Sequence, residues 1–223
     1  MNSSASLNFQ IFNFPVRVHF SFFLVAIILG INAGNIIKIV LWVLIVFFSV
    51  LLHELGHAVA AEYYGRSPRI ELYSMGGLTV STRYSLLSYP KEILIGFAGS
   101  LAGFLLGGLL FAIASFTGAI DNEYLHFIIE QLLWVNIGWG VINLIPILPL
   151  DGGSIMKNAY HWLRNPYDDR TPLIISIVFG VLAIIVVLVL MGRGGIYLAL
   201  LAGWLTYNNY LALRQGYWTD NLI

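Results

Sequence analysis

Apolar residues recur along this chain in runs of about twenty, the length at which a helix crosses a hydrocarbon core, and short polar or glycine-bearing stretches separate the runs. The pattern predicts helices near Val18 to Ile36, Ile39 to Tyr64, Ile93 to Thr117, Tyr124 to Ile145, Leu173 to Met191 and Ile196 to Leu213, with Lys38 the only charge between the first two. Residues 66–91 break this rhythm. Arg69-Ile70-Glu71-Leu72-Tyr73 and Leu78-Thr79-Val80-Ser81-Thr82 are short alternating stretches rich in strand formers, with Gly76-Gly77 before the second. They predict a small β-hairpin between the second and third helices. The expected fold is an all-α polytopic membrane protein of about six transmembrane helices, a single membrane-embedded core over residues 1–223.

Composition strengthens the membrane reading. The chain is 59% hydrophobic and only 10% charged, against about a quarter charged in soluble domains. Residues Met1 to Phe14 lack the basic start, apolar run and small-residue cleavage site of a signal peptide, so the first span is expected to stay in the mature protein. Basic residues then give an orientation. Arg17, Arg66, Arg69, Arg83, Lys91, Lys157, Arg164, Arg170 and Arg214 fall on the side of the termini, and only Lys38 and Arg193 on the other. Cytoplasmic loops are enriched in Lys and Arg, so both termini and the hairpin are expected in the cytoplasm.

The 11 basic and 11 acidic residues form no cluster that could track a phosphate backbone, which argues against a nucleic-acid partner. The chain has no cysteine, so a metal would have to be held by imidazole and carboxylate.

Within the second span stands His53-Glu54-Leu55-Gly56-His57. Histidines four apart on a helix project from one face, and the glutamate after the first lies about 100° around the axis, still on the same side. Zinc takes neutral nitrogen donors and keeps an open position, and a nearby carboxylate can take a proton from water and return it to a leaving amine. The spacing therefore suits peptide hydrolysis. Three ionisable groups within five residues of a span are costly unless they are paired or functional, which weighs against a chance match.

Two imidazoles leave a third ligand to be found. Glu62 falls on the opposite helix face. Glu71, Asp168, Asp169 and Asp220 fall in cytoplasmic loops or the tail, and Asp121, Glu123, His126 and Glu130 lie toward the far side of the membrane. His161 is expected at the interface, and Glu92 favours the N-terminal dipole of the third helix. Asp151 and His19 remain. Asp151 follows Asn143-Leu144-Ile145-Pro146-Ile147-Leu148-Pro149-Leu150, where two prolines end the helix while the chain is still apolar, and precedes Gly152-Gly153. Broken backbone at membrane depth usually lines a cavity, which favours Asp151.

These motifs together resemble the site-2 protease family of intramembrane zinc metalloproteases. The resemblance rests on His53-Glu54-Leu55-Gly56-His57, on Asn143-Leu144-Ile145-Pro146, and on Leu150-Asp151-Gly152-Gly153. The entry Arg17-Val18-His19-Phe20-Ser21-Phe22 and the Gly76-Gly77 hairpin also look like the family, so the likeness runs from about Phe14 to Leu213. It implies one zinc ion per chain on His53, His57 and Asp151, with Glu54 activating water and Asn143 holding the substrate backbone or the oxyanion.

The resemblance further implies a transmembrane protein substrate cut within the lipid bilayer, as in regulated intramembrane proteolysis. Gly76, Gly77, Leu78, Thr79 and Val80 are expected to pair with the unwound substrate. One departure is Gly96-Phe97-Ala98-Gly99-Ser100-Leu101-Ala102-Gly103, which stands where many members have Gly-Pro and a following Asn; Gly99, Gly103 and Gly107 read as helix-packing positions. Another is length, from which a minimal member without the PDZ or nucleotide-binding regulatory domain of many relatives is expected. Selection of the substrate then falls to the core, to a membrane regulatory partner or to a homo-oligomer. A zinc-binding transporter or a catalytically silent adaptor is the rival reading, although only one helix is broken, where transporters usually carry paired broken repeats.

Overall fold

The computed structural model describes residues 6–81, 86–117 and 122–215, apart from the side chains of Phe116, Thr117 and Arg193. Thr82 and Arg83 of the expected hairpin region, Asp121, Asp220 and both chain ends lie outside the described residues. Two compact units emerge, one of Met1–Leu87 and Ala98–Ile142, the other of Ser88–Phe97 and Asn143–Ile223.

The first unit begins with β1 (Ser6–Ile11) and β2 (Phe14–His19), an antiparallel pair turning at Phe12, whose φ is 52°. Two helices, α1 (Phe20–Gly30) and α2 (Ile36–Tyr63), carry the chain to β3 (Pro68–Tyr73), which pairs parallel with β2. β4 (Gly76–Ser81) returns antiparallel to β3 and completes a four-stranded sheet of order β1-β2-β3-β4. Alternation decides which face is buried. Phe14, Val16, Val18, Ile70 and Leu72 pack with Phe22 of α1 and with Leu51 and Ala58 of α2. The sheet is thereby fixed to the helix that carries the histidine motif.

The same unit takes α3 (Tyr89–Thr117) from Ala98 onward, then α4 (Glu123–Leu133), a π-helical turn (Trp134–Gly138) and α5 (Trp139–Asn143). A turn that widens inside a helix can deliver a polar side chain into the interior. Here it delivers Asn136, whose Nδ2 donates to Ser49 Oγ of α2 at 2.9 Å and to Leu132 O at 2.8 Å. Gly103 and Gly107 let α3 approach this turn, because a Cβ at either would press on Asn136 or Ile137. Gly56 likewise brings α2 against the Ala98 carbonyl of α3. Lys38 and Glu123 begin α2 and α4 and pair at 2.7 Å, which agrees with their expected place on one side.

In the second unit, α6 (Asp151–Leu163), α7 (Arg170–Met191) and α8 (Ile196–Gln215) follow the broken segment 144–150. α7 and α8 pack closely at Gly180, where a Cβ would strike Thr206.

Among the described residues, four helices are long and apolar enough to cross a membrane: Ile36–Tyr63, Tyr89–Ser115, Glu123–Asn143 and Arg170–Met191. They match four of the expected spans. The first expected span is corrected, since Val18 and His19 end a strand whose inward residues alternate with exposed Pro15 and Arg17, and α1 has only 11 residues. That is about 17 Å of helix, roughly half a hydrocarbon core. α8 has the length to cross, but Asn208 and Asn209 lower its apolar character and it is not among the four. Helix α6 and the β1–β2 pair were not expected, and the hairpin is half of a larger sheet.

Candidate functional site

The motif occupies the last third of α2, well inside a 28-residue helix, so the i, i+4 spacing is realised without distortion. His53 and His57 bring their Nε2 atoms to 3.1 Å of one another, with the rings at 82°. Two imidazoles on one tetrahedral zinc would hold their nitrogens about 3.3 Å apart, given bonds of about 2.0–2.1 Å. The pair thus already has the spacing of two ligands. Gly99 of α3 faces it, since a Cβ there would collide with His57 Nε2 and lie 2.8 Å from His53 Nε2. The sequence pattern reads Gly99 as a helix-packing position; the structure keeps it at the close approach of α3 to Gly56 of α2 and also sets it against the imidazoles.

Glu54 is 4% exposed and turns toward β4. Thr79 Oγ1 donates to Glu54 Oε2 at 2.7 Å and lies 3.1 Å from the Glu54 main-chain oxygen. Gly77, two residues back along the strand and on the same face, approaches so closely that a Cβ would sit 2.5 Å from Glu54 Oε1. Tyr73 at the end of β3 is affected by the same carboxylate. Burial first, and then the charges of Glu54 and Glu71, push its phenol above the ordinary value.

Asp151 opens α6, where a carboxylate is favoured by the helix dipole. Asn143 Nδ2 donates to Asp151 Oδ2 at 2.7 Å, so the residue expected at the substrate or oxyanion here also steadies the candidate ligand. The glycines after Asp151 are steric requirements. A Cβ at Gly152 would run into the Leu144 carbonyl, and one at Gly153 into the peptide between Ile147 and Leu148. The segment itself is tied at Leu148, whose N–H donates to Ser176 Oγ of α7 at 3.0 Å and whose carbonyl accepts from Asn209 Nδ2 of α8 at 2.7 Å.

His53 and His57 belong to the first unit and Asp151 to the second. Two imidazoles and a carboxylate are a donor set that zinc accepts with a position to spare. His19, the other residue left by elimination, stands at the N-terminal boundary of α1.

Comparison with known proteins decides the family. A family model described as "Peptidase M50B-like" matches residues 20–149, and one for peptidase family M50 matches residues 114–189. The chain belongs to the site-2 protease family. The solved structure of a site-2 protease from Methanocaldococcus jannaschii superposes with a TM-score of 0.62 at 30% identity, covering 94% of this chain and 95% of that one. A zinc metalloprotease of the same organism is 34% identical over 85% of this chain and 58% of its own length. Stage IV sporulation protein FB of Bacillus subtilis is 28% identical over 63% of this chain and 46% of its own. The chain thus spans about half the length of the curated relatives it matches. Family membership and four long apolar helices make it an integral membrane protein.

Missed in the sequence were Thr79 as a partner of Glu54, Gly99 beside the histidines, and Ser176 and Asn209 on the Leu148 backbone. A buried polar residue inside an apolar helix is the signal that Ser176 and Asn209 offered, since such groups persist where something needs them.

Proposed function

We propose that this chain is an intramembrane zinc endopeptidase that hydrolyses a peptide bond within or near a transmembrane segment of a membrane protein. The observation that carries the reading is a buried Glu54 carboxylate on the same helix turn as two converging imidazoles, in a chain of the site-2 protease family. His53, His57 and Asp151 would hold one zinc ion per chain. When bound, zinc supplies a Lewis acid and makes water acidic enough to act as a nucleophile near neutral pH.

The chain's own groups do the rest. Glu54 takes a proton from the attacking water as its oxygen bonds to the carbonyl carbon, and gives that proton to the amine nitrogen as the C–N bond breaks. Asn143 orients Asp151 and is proposed to meet the substrate backbone or the oxyanion with the same amide.

A peptide bond in a helix is shielded, so the substrate must unwind before attack. β4 is the last strand of the sheet, and an extended segment added to its edge would regain the backbone hydrogen bonds lost on unwinding. Gly77 and Thr79 of that strand lie against Glu54, so Gly76 to Val80 would lead the substrate past the base. Proline placed across Leu78 to Ser81 should then impair cleavage in a folded protein. The distribution of Lys and Arg supports cytoplasmic termini and a site that opens to the cytoplasm.

The test is cleavage of a transmembrane substrate by purified protein in liposomes. Glu54→Gln should abolish cleavage while zinc stays bound. Retained cleavage in that variant would remove Glu54 as the base.

A further inference from the structure

We propose that Thr79 is a positioning residue for Glu54, and that the inward face of β4 serves as a holder for the carboxylate as well as a flank for substrate. The proposal rests on Glu54 being the base.

A glutamate has three side-chain torsions, and a helix alone does not fix where its oxygens point. Two residues of β4 limit them. Gly77 brings backbone so near Oε1 that no side chain fits between. Thr79 Oγ1 donates to Oε2 at 2.7 Å, the length of a strong hydrogen bond to a carboxylate. The hydroxyl has one proton, so the 3.1 Å contact with the Glu54 main-chain oxygen can only share it, and the shorter bond takes the larger part. Residues 77 and 79 face Glu54 because strand side chains alternate, which turns Leu78 and Val80 to the other face.

The register of β4 on β3, with Thr79 opposite Ile70 and Gly77 opposite Leu72, is anchored by core residues that are fully buried. The carboxylate is therefore held by an element that is itself immobilised. Threonine is also a common strand residue, and a purely structural role would be met equally well by valine, which has the same shape and a similar preference for strands.

That contrast is the experiment. Purified full-length wild type, Thr79→Val and Thr79→Ser are compared for kcat and KM on a transmembrane substrate in liposomes, for zinc per chain and for Tm. Thr79→Val should lower kcat by at least about 10-fold, the usual effect of losing a group that orients a reacting residue, with KM and zinc content unchanged. Thr79→Ser should recover most of the loss. In the zinc-free proteins, the Glu54 carboxyl band in infrared difference spectra against Glu54→Gln should move in Thr79→Val and return in Thr79→Ser. If Thr79→Val does not fold, Thr79→Ala against Thr79→Ser carries the same contrast.

Wild-type kcat in Thr79→Val, equal loss in Thr79→Ser, or a change confined to KM would overturn the proposal. Failure of the parent reading looks different, because Glu54→Gln itself would then still cleave.

Discussion

Asn209 of α8, 1% exposed, donates its amide to the main-chain oxygen of Leu148 at 2.7 Å, three residues before Asp151. Ser176 of α7, fully buried, accepts from the Leu148 N–H at 3.0 Å. A peptide in a broken segment has lost its helical partners, and these two side chains replace them on both sides. Asn209→Leu leaves a buried carbonyl without that donor, which typically costs about 1–3 kcal/mol. The expected result is a lower Tm in detergent and weaker zinc retention, with Ser176→Ala acting in the same direction. Unchanged melting and metal affinity in both variants would show that the broken segment holds its shape without them.

Two glycines tell the proposed metal ligands apart from the proposed base. Gly99→Ala puts a methyl onto the His53 and His57 imidazoles, so it should sharply lower zinc affinity. Alanine is the better helix former, so folding should survive. Gly77→Ala instead puts the methyl onto the Glu54 carboxyl group, and should reduce cleavage while zinc content stays at wild type. Paired measurements of bound zinc and turnover check both, and equal zinc loss in the two variants would contradict the separation.

How much of this was legible beforehand follows from what each signal measures. His53, Glu54 and His57 were readable because helix geometry alone brings i and i+4 together, and α2 supplies an unbroken helix there. Four long helices were readable because apolar length is a local property. The strand β1 was equally local, with Leu7, Phe9 and Ile11 alternating with Asn8 and Gln10, yet a search for spans passes over a six-residue alternation. The first expected span went wrong for the same reason, as Phe14, Val16 and Val18 merge with the apolar run after Phe20. Thr79 beside Glu54 is 25 positions away in sequence, and only the pairing of β3 with β4 and the packing of the sheet on α2 bring them together. No periodicity encodes such a contact.

Acid should weaken the loop between α6 and α7. Asp168 accepts from the Thr171 hydroxyl, the Tyr160 hydroxyl and the Thr171 and Arg170 N–H groups, and these hold its carboxyl well below the ordinary value. A depressed folded pKa means that the unfolded chain takes up the proton first as pH falls. The stabilisation is therefore complete above the ordinary carboxylate value of about 4 and declines as pH drops below it. Asp168→Asn should melt lower than wild type near neutral pH and lose less on going to pH 3, as read from Tm across that range. Parallel pH profiles for the two proteins would exclude the contribution.

Chelation resolves the remaining assignment, the division of labour between Asp151 and Asn143. Zinc stripped from wild type should abolish cleavage, and added zinc should restore it. His57→Ala and Asp151→Ala should not recover at the same zinc concentration, because each loses a donor and two ligands hold zinc poorly. Asn143→Ala tells its two proposed roles apart. Its 2.7 Å bond to Asp151 Oδ2 fixes the carboxylate, and loss of a group that orients a ligand typically costs about 10–100-fold in metal affinity or activity. If orienting Asp151 is its main task, Asn143→Ala should need more zinc for half-maximal recovery and then approach wild-type kcat at saturation. If meeting the substrate or the oxyanion dominates, zinc titrates as in wild type and kcat stays low however much is added.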